Sequence, residues 1–376
     1  MDWSELVVPP LRALAPYRPG LTEEQLRRDT GLAEILKFSS NEAPIGPSPA
    51  VLAAMQAALL QSHRYPDAQA LLQRLSRHLA VPAERLVLGN GSIDVIASLV
   101  RAVLAPQHNA VLSGHGYCAY PAFVKEQGAT VCLTPSRTDF GHDVDALLAK
   151  VDGRTRLMLV DSPTNLSGSA LGVDELERLV RGLPRHVLLV LDEAYAEFLP
   201  GDALQYTAQL PLRHPNVVVT RTFSKAYGLA GLRIGYGIAD AGLVECLHRV
   251  RPPFPVSRVA LAGAAAALDD HAHTERIVRC ILGGRQVLSR ALRAMGVAVV
   301  DGHGNFVLAD FGRAAPAVHQ ALLAQGLITR PMNAYNLPTH IRISVGTPAE
   351  IGQLVRALQS LVHPQVAVQH AIEETP

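Results

Sequence analysis

The chain has 376 residues, 48% of them hydrophobic and 18% charged, which describes a folded chain too long for a single core. A formal charge of +1, with no basic block, excludes nucleic acid and an anionic membrane as expected partners, and no apolar run approaches a membrane span. Four scattered cysteines (Cys118, Cys132, Cys246, Cys280) are expected as buried small hydrophobes in a reducing compartment; MDWSELVVPP lacks a signal-peptide core, so the expected location is cytoplasmic.

Prolines punctuate the first forty residues, around one short helix at TEEQLRRDTG. The loop SSNEAPIGPSP ends in Ser48 as an N-cap and Pro49 at the first helical position, opening a helix through AVLAAMQAALL. AQALLQRLSRHLA follows with Leu71, Leu72, Leu75 and Leu79 on one helical face. From residue 86, short apolar strands alternate with amphipathic helices: RLVLG, NAVLSG, TRLMLVD, HVLLVLDEAY and NVVVTRTF. Continuous apolar strands separated by helices predict a mostly parallel sheet covered on both faces, an α/β fold. After residue 260 come an Ala-rich helix, a helix near 284–296 and strands at VAVV, NFVLADF and IRISVG, a smaller α+β unit. The expected division is a large domain over 45–265, with 1–44 and 266–376 forming the smaller one.

Ligands of open α/β sheets sit at the carboxyl ends of the strands. Here those ends carry Asn165, then Asp192 and Tyr195, then Thr222, Ser224 and Lys225. LGNGSID adds a glycine turn, Gly91–Ser92, opening a helix whose free N–H groups suit a phosphate. A phosphate cradle, an acid, an amide, a phenol and a lysine together match the needs of pyridoxal phosphate. Taken alone, Lys225 would read as a surface lysine; the partners in register argue otherwise. The closest histidine pair, His271 and His273 in DDHAHTE, has no HExxH or cysteine context, so no metal site is expected.

RTFSKAYGLAGLRIGYG (221–237) closely resembles the cofactor-lysine motif of fold-type-I aminotransferases, in particular the histidinol-phosphate aminotransferase family. KFSSNEAPIGPSP, RYPD, LGNGSID, VLDEAY, GNFVLAD, ITRPM and IRISVGTP fall in the family's order along almost the whole chain. The resemblance implies a PLP-dependent aminotransferase in which Lys225 carries the cofactor and Asp192 pairs with its ring nitrogen. Asn165 and Tyr195 would bond the ring hydroxyl and Tyr117 would stack on the ring. Ser224, Arg233, Thr222 and the Gly91–Ser92 backbone would hold the phosphate. Tyr65 would reach the neighbouring subunit of a homodimer; Arg342, with Tyr17, Asn41 and Arg330, would face the substrate. The implied substrates are small molecules, L-histidinol phosphate as amine donor and 2-oxoglutarate as acceptor, with no nucleic-acid or membrane partner.

Departures from the family pattern gather on the substrate side. The family's Asn-Pro-Asn-Asn-Pro-Thr-Gly reads SPTNLSG, with Leu166 where a proline is expected, and Pro255 replaces an asparagine in RPPFPV. MNAYNLP is bulkier by Asn333 and Asn336 than the glycine-rich family segment. A cis peptide after Asn165 would cost roughly 3–4 kcal/mol without proline, which predicts a trans loop there. The alternatives left open are an aromatic or broader amino-acid aminotransferase, a threonine-phosphate-decarboxylase-like enzyme, a cofactor-sensing regulator and a catalytically weakened relative.

Overall fold

Strands built of unbroken apolar residues have no polar face to offer water and need cover on both sides. The computed structural model describes residues 3–12, 14–16 and 20–373; the expectation for Tyr17 lies outside them. In chain order the strands are β1 Leu36–Lys37, β2 Leu86–Gly89, β3 Asn109–Ser113, β4 Thr130–Thr134, β5 Thr155–Asp161, β6 Leu188–Asp192 and β7 Val217–Thr222. They continue as β8 Gly235–Ile238, β9 Ala298–Val300, β10 Phe306–Asp310, β11 Leu327–Ile328, β12 Arg330–Met332 and β13 Leu337–Ser344.

Seven strands form one sheet in the order β2-β8-β7-β6-β5-β3-β4. Its pairings are parallel except the two made by β8. Successive side chains alternate between faces, so Leu159, Val190 and Val218 pack with Val95, Ile96 and Leu99 of the helix Ser92–Val103. Met158, Val160, Leu189, Leu191 and Val219 pack on the other face with Leu176, Leu179 and Val180 of the helix Val173–Gly182. The helix Gln69–Leu79 turns Leu71, Leu75 and Leu79 into the same core, with Leu72 partly buried beside them. Ser48 caps the helix Pro49–Leu59, its Oγ accepting from the Val51 N–H at 3.3 Å.

A second sheet, β12-β13-β10-β9, is antiparallel throughout. Its core joins Phe306, Ile341 and Ile343 to Ile277, Ile281, Leu288 and Leu292 of one long helix, His271–Ala294. That helix starts well before the expected residue 284. Asp270 caps it by accepting from the His273 N–H at 3.2 Å, so the charged DDHAHTE segment is a capped first turn rather than a loop. β1 pairs in parallel with β11, Leu36 opposite Leu327, and so stitches the N-terminal segment to this second unit. The cysteines differ from expectation: Cys118 and Cys246 are exposed and Cys132 and Cys280 half-buried. Cys132 packs at the edge of the core that holds Val111 and Met158.

Candidate active site

Strand alternation sorts the polar residues at the ends of β6 and β7. Asp192, Thr220 and Thr222 share one face, while Glu193 and Arg221 point to the other, where they pair at 2.8 Å with both side chains buried. Removing one partner of such a buried pair costs about 3–5 kcal/mol, because the other charge is left uncompensated. Asp192 Oδ2 accepts from the Tyr120 hydroxyl at 2.9 Å and Oδ1 from the Thr220 hydroxyl at 3.3 Å. Burial pushes its carboxyl up to about 7, with the neighbouring Asp161 carboxylate adding to the shift.

At the start of the helix Ser92–Val103 an anion cradle takes shape. Gly91 has φ +84, and a Cβ there would lie 2.5 Å from Arg233 Nη2. Gly235, beneath it, has no room for a Cβ against the backbone N of Ser92. The two glycines therefore let the guanidinium close on the helix N-terminus, whose first N–H groups have no partner within the helix. Arg233 Nη1 donates to Ser224 Oγ at 3.4 Å, and the Thr222 hydroxyl donates to the same Oγ at 2.9 Å.

Lys225 follows directly. Its ammonium donates to the Asn41 carbonyl at 2.9 Å and lies 5.6 Å from the Tyr195 ring centroid. It makes no ion pair among the described residues. Burial lowers its pKa to about 8, and the positive charges of Arg342 and Arg233 act in the same direction. Asn41 adopts φ +53. Its N–H donates to Ser344 Oγ at 2.8 Å, and its carbonyl accepts from Asn305 Nδ2 at 2.8 Å, so β13 and the turn before β10 hold it in place.

The Tyr195 hydroxyl accepts from Asn41 Nδ2 at 3.0 Å and from Asn165 Nδ2 at 2.8 Å. Asn165 Oδ1 accepts from the Tyr335 hydroxyl at 3.1 Å and from Arg342 Nη1 at 2.8 Å. The Asn165 loop contains a cis peptide at Ser162–Pro163, whereas the bond from Asn165 to Leu166 is trans. Leu166 is fully buried, packed with Leu308, Met332 and Tyr335 of the second unit. The residue that departs from the family pattern thus joins the loop to the smaller sheet by apolar packing. Arg342, with its guanidinium 5.2 Å from the Phe306 ring centroid, keeps a buried Nε without a partner among the described residues.

Two adjoining cavities result. One of about 360 Å³ is lined by Ser92, Tyr117, Asn165, Asp192, Tyr195, Thr222, Ser224, Lys225 and Arg233. The other, of about 150 Å³, is lined by Asn41, Arg330, Tyr335 and Arg342, and shares Tyr117, Asn165, Tyr195 and Lys225 with the first. Gly91 borders the first through its contact with Arg233. Tyr65 lines neither: it is 78% exposed and stacks on Phe254 at 4.6 Å. Pro255, in the same RPPFPV segment, is likewise remote from both. Sequence reasoning missed Asp161, Tyr120, Tyr335, Ser344 and Asn305. Asp161 and Ser344 had a local signal, since each ends a strand.

The first cavity fits pyridoxal phosphate on three observations. A desolvated lysine without an ion pair among the described residues opens into it, a buried acid stands on the same strand-end face, and at one end is a glycine cradle that a Cβ would fill. Such an arrangement is that of a pyridoxal-phosphate enzyme, and comparison with known proteins identifies the class as a fold-type-I aminotransferase. The model of the aminotransferase class I and II family matches residues 33–358. Histidinol-phosphate aminotransferase 2 of Pseudomonas aeruginosa is 42% identical over 361 residues, covering 95% of this chain and 98% of the relative. Histidinol-phosphate aminotransferase 1 of Thiobacillus denitrificans is 45% identical, covering 93% and 92%. The crystal structure of histidinol-phosphate aminotransferase from Sinorhizobium meliloti in complex with pyridoxal-5'-phosphate superposes with a TM-score of 0.87 at 32% identity, covering 96% of this chain and 98% of that one. The chain belongs to the aminotransferase class I and II family and, within it, groups with the histidinol-phosphate aminotransferases.

Proposed function

We propose that the protein transfers the amino group of L-histidinol phosphate to 2-oxoglutarate, giving imidazole acetol phosphate and L-glutamate. The observation that carries this reading is Lys225, desolvated and without an ion pair among the described residues, at the junction of the two cavities. Full-length relatives at 40–45% identity support the choice of donor. When bound, the cofactor supplies an aldehyde that takes the substrate amine and a protonated ring that accepts the electron pair left at the α-carbon.

The chain's own residues do the rest. Lys225 Nζ would hold the cofactor's aldehyde and, as a free amine, would carry the substrate's α-proton. A pKa near 8 keeps a useful share of this amine unprotonated at neutral pH. Asp192 would hold the ring nitrogen in its charged form, because opposite charge favours it. Asn165 and Tyr195 would bond the ring hydroxyl, and Tyr117 would cover the ring. Ser224, Thr222, Arg233 and the amides of Gly91 and Ser92 would hold the phosphate. Arg342, with Asn41 and Arg330 beside it, receives the substrate's anionic group, which a planar guanidinium recognises with two parallel bonds. Residues 1–44 and 266–376 form the unit that covers substrate, and two copies complete the site, Tyr65 reaching out of its own subunit. The location is cytoplasmic.

Absorbance of the loaded enzyme tests this reading, with histidinol phosphate, phenylalanine, tyrosine, glutamate and threonine phosphate added separately. Conversion of the cofactor to its amine form by histidinol phosphate and glutamate, and far more slowly by the others, is the expected result. Silence toward histidinol phosphate with turnover of another amine overturns the substrate assignment and keeps the class.

A further inference from the structure

β5 and β6 end side by side in carboxylates, Asp161 opposite Asp192 in register, both buried and both lining the larger cavity. Two like charges so placed need a reason. Asp192 has one in the proposed function; Asp161 has no role there. Its hydrogen bonds supply one. Oδ2 accepts from the Asn165 backbone N–H at 2.6 Å, and Oδ1 accepts from the Tyr117 backbone N–H at 3.3 Å. His142, only 2% exposed, brings Nε2 to 3.3 Å from Oδ1 and 2.8 Å from the Asp161 carbonyl. Both atoms facing Nε2 are acceptors, so Nε2 carries the proton. The opposite nitrogen, Nδ1, is buried with no partner among the described residues.

We propose that Asp161, steadied by His142, is a positioning residue that sets the gap between Asn165 and Tyr117. Those residues come from separate loops, one after β5 and one after β3, and this carboxylate bonds to the backbone of each. Without it, the loop bearing the ring-hydroxyl partner and the turn bearing the stacking ring would lose their direct backbone link and be joined through the Tyr335 hydroxyl, which accepts from the Cys118 N–H at 3.3 Å and donates to Asn165 Oδ1 at 3.1 Å. The other titratable groups around Asp161 are Asp192 on β6, Tyr120 on the helix Tyr120–Glu126, Tyr195 and Tyr335. The proposal rests on the cofactor reading above.

The test is a titration of cofactor-free protein with pyridoxal phosphate, reading both the dissociation constant and the pH midpoint of the bound cofactor's visible absorption. Asp161→Asn places an N–H against a donor; binding is expected to weaken about tenfold or more. Removing a nearby negative charge disfavours the protonated form, so the pH midpoint falls. His142→Gln, which returns an N–H near the Nε2 position, stays within about twofold of wild type, and His142→Leu does not. The double variant Asp161→Asn/His142→Leu loses less than the two single losses combined, as coupled partners require. Wild-type affinity and midpoint in Asp161→Asn, equal losses in the two His142 variants, or additive losses in the double variant would each overturn the proposal. Thermal melting of the cofactor-free variants separates misfolding from mispositioning. If Asp161→Asn does not fold, the Gln–Leu contrast at 142 decides. A wild-type protein that takes up no pyridoxal phosphate overturns the cofactor reading itself, and the positioning role with it.

Discussion

The two cavities are built in opposite ways. The larger one is assembled from the strand ends of one sheet: Asp192 ends β6, Thr222 ends β7, and Ser224 and Lys225 lie two and three residues further on. The smaller one gathers Asn41, Asn165, Tyr335 and Arg342 across long stretches of sequence, with 177 residues between the bonded Asn165 and Arg342. A site on strand ends inherits its geometry from a hydrogen-bonded sheet. A site made of distant segments depends on how two units meet.

The proposed roles make this contrast breakable. Lys225→Ala should remove both the covalent anchor and the proton carrier, lowering kcat by about ten-thousand-fold, with reconstituted enzyme checked for phosphate retention. Residual activity within tenfold of wild type would sink the role given to Lys225. On the other side, Arg342→Lys should raise KM for the phosphorylated amine by about 10–100-fold with a smaller change in kcat, since an ammonium cannot match a planar fork. A fall in kcat at unchanged KM would place Arg342 with the chemistry instead.

The smallest effect expected is thermodynamic and belongs to the strand-end side. Asp192 has its folded-state pKa raised to about 7 by burial, so the folded cofactor-free protein binds a proton more tightly than the unfolded chain does. Its contribution to stability is full below the ordinary carboxylate range and lost as pH rises through about 7. Asp192→Asn should therefore raise the melting temperature of the cofactor-free protein at pH 8, with the gain shrinking as pH falls toward 4. A gain that grows on acidification would contradict the assigned shift.

Strand-end residues were readable from sequence because a local pattern, an apolar run followed by a polar residue, locates both strand and side chain. Glycine spacing likewise pointed to the cradle at Gly91. Tyr335 and Asn305 were not readable, since their meaning lies in bonds to Asn165, 170 residues away, and to Asn41, 264 away. His142 sits in a loop with no periodicity to mark it. Leu166 shows the opposite failure: compared with a motif it looks like a defect, yet its side chain fills the contact between Asn165's loop and β10. The long helix His271–Ala294 was shortened by the same logic, because a capped polar first turn resembles a loop.

The pairing of Leu36 with Leu327 also sets an order of assembly during synthesis. The seven strands of the large sheet all emerge by residue 238 and can pair as they appear, whereas β1 must wait for β11. At about 5–20 residues per second, the ribosome needs roughly 15–60 s to deliver that partner. Through the interval Asn41 has no Ser344 to hold it, and Asn305 arrives only near its end. On a growing chain the acid, the lysine and the anion cradle are therefore in place before any surface exists to choose between substrates.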